Sequence, residues 1–81
     1  MSENKLKKLA ETLEAMTEKS LTRYARQCMC MVLYSMGADL EIDAQTTLDL
    51  IHSEFYHRGI ERIYDMTYES VAKNPDVCKA A

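Results

Sequence analysis

The sequence predicts an all-α protein: a small bundle of three to four helices, completed by homodimerisation. Three observations carry that reading. One Pro and two Gly in 81 residues, with no alternating run of Val, Ile and Thr, leave little material for turns or strands. Apolar residues recur at spacings of three and four along most of the chain. A chain of 81 residues also stands near the size at which one core is only marginally sufficient, and a second copy is a common remedy.

The first helix is expected over about 3–18, where Leu6, Leu9, Leu13 and Met16 form a narrow a/d seam among Glu and Lys. Ser2 or Asn4 can cap it, and Lys5, Lys7 and Lys8 read as a solvated face. Thr17-Glu18-Lys19-Ser20 holds neither Gly nor Pro, and Ser20 is the residue we expect to cap the second helix. Without that break, residues 3–36 would form a rod of roughly 50 Å at 1.5 Å per residue, which only an intertwined dimer covers.

The second helix, about 21–36, contains the one sustained apolar run, Cys28-Met29-Cys30-Met31-Val32-Leu33-Tyr34. That run is too short to cross a bilayer and too continuous for one face of a surface helix, so it is expected inside the bundle. Leu21, Ala25, Cys28, Val32 and Met36 continue a helical stripe through it. Gly37 suits the left-handed residue that ends the helix, and Leu40 and Ile42 can plug the bundle end.

Asp43 is the expected N-cap of a third helix, about 44–58, whose stripe is Leu48, Ile51 and Phe55. After Gly59 the apolar set becomes Ile60, Ile63, Tyr64, Thr67 and Val71, roughly 150° away at 100° per residue, so a break at Gly59 and a fourth helix over about 60–73 follow. Asn74-Pro75 stops that helix, because the residue before Pro is pushed out of the α region. Residues 75–81 read as a frayed tail bearing an exposed Cys78. The first two helices are expected to form one arm and the last two the other.

The formal charge of −3 and pI near 5.3 argue against affinity gained by covering phosphates, so nucleic acid is not an expected partner. Residues 1–34 hold six Lys and Arg against four acids and residues 39–81 four against nine, so the two halves should attract. An odd count of three Cys, two of them in the apolar run, argues against a disulfide framework. Charges throughout the first twenty residues leave no signal-peptide core, and no segment reaches the length of a membrane span. These features predict a soluble cytoplasmic protein, of the kind found among phage or plasmid accessory proteins.

Few residue patterns carry chemistry. Glu54-Phe55-Tyr56-His57 is a Glu-x-x-His pair of the kind carboxylate-bridged metal bundles use, with Glu61 a helical turn beyond His57, so Glu54, His57 and Glu61 are the candidate metal ligands. The competing reading pairs Glu54 with Arg58 at i+4, and His52 has no matched ligand. Cys28 and Cys30 diverge by about 200° on a helix and cannot share one ion. No Ser or Cys stands on a Gly-rich elbow and no phosphate loop is present, so no enzyme and no cofactor is expected. Glu61, Asp65 and Glu69 form an acidic ridge, which raises a nucleic-acid mimic; a helix-turn-helix regulator is a further alternative. Tyr56, Tyr64 and Tyr68 suit half-buried positions with one wet end. With the ridge they form the expected contact surface for another protein, the chain acting as a regulator, adaptor or inhibitor.

Overall fold

The computed structural model describes residues 2–35 and 42–79, and among them five helices and no strand: α1 (Ser2–Ala15), α2 (Glu18–Tyr34), α3 (Ala44–His57), α4 (Glu61–Lys73) and the short α5 (Asp76–Lys79). Helix is the expected class, and the stripes point inward as expected: Leu13, Leu21, Ala25, Cys28, Leu48, Ile51, Phe55 and Val71 are buried together. Met36, Gly37 and Leu40, expected to end α2 and plug the bundle, lie outside the described residues; Ile42 is half-buried.

α1 begins at Ser2, which puts Asn4 inside its first turn, and it stops at Ala15, three residues before the expected end. The break that follows has Thr17 as its cap, not Ser20. Thr17 is extended (φ −68°, ψ 161°), and its Oγ1 accepts the Ser20 N–H at 3.1 Å, so Ser20 falls inside the first turn of α2. The side chain that closes α1 comes from the C-cap of α3. Arg58 Nη2 donates to the carbonyls of Leu13 (2.8 Å), Glu14 (3.2 Å) and Met16 (2.9 Å), adding to the one local bond there, from the Met16 N–H to the Leu13 carbonyl (3.1 Å). Glu54 accepts from Arg58 Nε at 2.6 Å and holds the guanidinium in place.

α2 ends at Tyr34 because Ser35 adopts the left-handed conformation (φ 54°, ψ 36°) and donates its N–H to the Cys30 and Met31 carbonyls. At the start of α3, Asp43 accepts the Thr46 N–H (3.0 Å) and the Thr46 hydroxyl (2.7 Å), the expected cap. Those bonds favour the ionised carboxylate and hold Asp43 below its ordinary pKa. The end of α3 is a Schellman turn. The Ile60 N–H reaches the Phe55 carbonyl (2.9 Å), the Gly59 N–H reaches that of Tyr56 (3.0 Å), and Gly59 has φ 75°.

α4 turns Tyr64, Thr67 and Val71 towards the core, and its far end is also closed from a distance: the Tyr34 hydroxyl lies 2.9 Å from the carbonyls of both Val71 and Ala72. Asn74-Pro75 ends the helix as expected, yet the remainder is not a frayed tail. It forms α5, and Cys78 is disulfide-bonded to Cys30 across a sequence separation of 48, their Cα atoms 5.8 Å apart. The expectation of no disulfide, with an exposed Cys78, is thereby corrected. Cys28 and Cys30 point about 200° apart, so the core that buries Cys28 leaves Cys30 to be covered from outside, and α5 covers it.

α2 is central and packs on both α3 and α4, α3 packs on α4, and α1 packs on α3. The expected pairing of the first two helices as one arm is therefore replaced: α1 leaves α2 at Thr17 and docks on α3, where Arg58 holds its end. Ile63 and Thr22 line one groove near the starts of α4 and α2, and Tyr34 meets Val71 near their ends, so these two helices run in the same direction. The described residues form a slab of 34 × 28 × 16 Å.

Candidate functional site

Two of the expected contact residues, Glu61 and Tyr64, meet α3 along the seam between α3 and α4. The seam is possible because the Gly59 turn sends α4 back along α3, so residues a turn apart on each helix face one another. His52 Nε2 and Glu61 Oε2 are hydrogen-bonded at 2.8 Å. The His52 ring lies against Tyr64 with centroids 4.5 Å apart, and Tyr64 meets Phe55 edge-on at 5.6 Å. Burial, with a smaller contribution from the Asp49 charge, pushes the Tyr64 phenol up to about 12, so it stays neutral and acts as packing with a polar rim.

Tyr56 stands one turn beyond His52 on α3 and Tyr68 one turn beyond Tyr64 on α4, which strings the four rings along one seam. Tyr56 is 70% exposed and Tyr68 38%, while Phe55, which meets Tyr64, is wholly buried. Each exposed ring thus follows a packed one by a single turn of its own helix. Of the acidic ridge, Glu61 is engaged by His52 and Glu69 accepts from Lys73 Nζ at 2.6 Å, a bond that holds Glu69 below its ordinary value and raises Lys73. Asp65 remains exposed between them.

The candidate metal ligands are not brought together. Glu54 faces Arg58, as the competing ion-pair reading expected, and its side chain is only 14% exposed. His57 is exposed, and the Glu61 expected to pair with it turns to His52 instead, the residue for which the sequence suggested no partner. Glu54 and His57 both line an open groove of about 200 Å³ between α1 and α3, with Glu14 and Ser53. Among the described residues, no group of three or more His, Cys, Asp and Glu is placed to hold a metal ion.

The one free cysteine, Cys28, is buried, and burial pushes its thiol up to about 11. It stays protonated near neutrality, which suits packing and not nucleophilic attack. Sequence reasoning missed Arg58 and Tyr34 as helix-closing residues, and missed the Cys30–Cys78 bond. A signal existed only for the last: two cysteines two apart on a helix cannot both face one core, so one needed another cover. Comparison with family models, curated proteins and solved structures finds no match.

Proposed function

We propose that this chain is a non-catalytic protein-interaction module, a small regulator, adaptor or inhibitor that binds another protein through the seam between α3 and α4. The observation that carries the reading is the exposure of Tyr56 and Tyr68, each one helical turn from a ring of the packed group His52, Tyr64 and Phe55. Tyrosine offers a large, stiff, amphipathic contact at small entropic loss, and such residues concentrate binding energy. Asp49, Glu61 and Asp65 flank the rings, so the partner surface this seam suits is basic.

Homodimerisation belongs to the same proposal. Opposite charge in the two halves favours a second copy. The expected cytoplasmic location loses its cysteine argument, because a disulfide such as Cys30–Cys78 persists in oxidising compartments. Among the described residues, no helix is long and apolar enough to cross a membrane.

The test places a photo-crosslinking amino acid at Tyr56, at Tyr68 and, as a control, at the exposed Glu11 of α1, in the producing cells. The proposal expects one discrete adduct from both tyrosine positions and none from Glu11. No adduct, or the same adducts from all three, removes it. An adduct of twice the chain mass assigns the seam to the dimer.

A further inference from the structure

The outer face of α2 carries a second surface, of opposite sign. Lys19, Arg23 and Arg26 stand at i, i+4 and i+7, all exposed. With Glu18, Thr22 and, from α4, Ile63, they line an open groove of about 540 Å³. One turn along α4 from Ile63, Met66 is 61% exposed. Three cations within two helical turns therefore share a groove with one apolar side chain of α4, in a chain whose formal charge is −3. Among the described residues, Glu18 is the one acid lining the groove, in the first turn of α2, where the helix dipole favours it.

The same stripe runs on to Cys30, four residues past Arg26, and there the chain covers it with its own helix. α5 begins with Asp76, carries Val77 against the core and is bonded through Cys78. The lower part of this face thus already holds a short helix with an acidic start and an apolar side; the upper part is open.

We propose that the open part of the α2 face docks an acidic helical segment of a partner protein, its carboxylates at i, i+4 and i+7 meeting Lys19, Arg23 and Arg26 and an apolar side chain seated on Ile63 and Met66. The cations span about 10 Å along the helix axis, two turns of a partner helix. Arg forks bind carboxylates with two parallel hydrogen bonds, and neighbouring pairs share the ordering of their side chains. A nucleic-acid strand fits less well. Three cations release few counterions, the acid-rich second half repels a polyanion running past the groove, and a phosphate backbone has nothing to set against Ile63. This surface is distinct from the aromatic seam, so its fate and that of the α3–α4 reading are separable.

Fluorescence anisotropy of the full chain tests it with four probes: a labelled Ala-based helical peptide carrying Glu at i, i+4 and i+7 beside a Leu stripe, the same peptide with Gln for each Glu, an oligodeoxynucleotide of similar length, and labelled protein itself. The Glu peptide is expected to bind saturably, at least about tenfold more tightly than the Gln peptide, and to weaken as salt rises. Arg23→Gln with Arg26→Gln should weaken it about tenfold or more, and Tyr56→Ala with Tyr68→Ala should leave it unchanged. Both arginines are exposed, and circular dichroism checks that the variant folds; if it does not, the Glu-to-Gln comparison on the unaltered chain decides alone. No saturable binding, equal binding of the Gln peptide, tighter binding of the oligonucleotide, or self-association that the arginine changes abolish would each overturn the proposal.

Discussion

Between α3 and α4 the chain breaks at Gly59, with φ 75° and a Schellman pair of hydrogen bonds made within six residues. Between α1 and α2 it breaks at Met16 and Thr17, where neither Gly nor Pro stands, and the carbonyls of Leu13 and Met16 accept from Arg58, more than forty residues on. The first break is written into the backbone where it occurs. The second needs Thr17 to start α2 and a folded neighbour to finish α1. The residue that finishes α1 also immediately precedes Gly59, so the local break positions the side chain that makes the distant one.

Arg58→Met breaks this comparison most severely. It leaves the end of α1 and the mostly buried Glu54 without their donor, and about 3 kcal/mol of stability is expected to be lost. Urea unfolding measures the loss, and hydrogen exchange should show α1 amides opening before those of α2. Adding Glu54→Gln should return part of it; a loss equal to that of an ordinary surface substitution would mean that α1 ends without help. Gly59→Ala is next. A Cβ there meets nothing within 4 Å, so the whole cost is the left-handed backbone, about 1–2 kcal/mol.

Two single-cap removals sharpen the contrast. Thr17→Ala and Tyr34→Phe should each lose about 1 kcal/mol, the first weakening the start of α2 and the second the end of α4. Thermal melts compare them, and the exchange pattern tells which helix end frays. Ser35→Gly should work in the opposite direction, gaining about 0.5–1 kcal/mol, because Ser35 holds φ 54° where Gly meets no Cβ penalty.

The smallest effect concerns pH. Asp43 has a folded pKa below its ordinary 3.8, so the unfolded chain binds more protons in that range. Its contribution is fully present above about 3.8 and fades as pH falls from there through the lower folded value. Acid titration of stability should show a shallower decline in Asp43→Asn than in the natural chain.

Legibility followed distance along the chain. The Asp43 cap, the Gly59 break and the Asn74-Pro75 stop are each announced by residues within a turn of the event, and each appears where the sequence puts it. The candidate site was half legible. Tyr56, Tyr64 and Tyr68 were identifiable by type and spacing, but that Tyr64 would be half-buried against His52 and Phe55 and Tyr56 exposed depended on how α4 lies against α3. His52 with Glu61 was not legible, because nine residues and a left-handed turn separate them.

By itself the sequence determined the helical class, the inward stripe of each helix and the start of α3, since apolar periodicity and capping act between residues that the backbone already holds within a few ångströms. Only the tertiary structure decided that α1 docks on α3, that Arg58 and Tyr34 close helices they do not belong to, and that Cys78 covers Cys30. Those contacts join residues 37 to 48 positions apart. A long side chain can reach many places from its own backbone, and helix crossings set by packing select which one it meets.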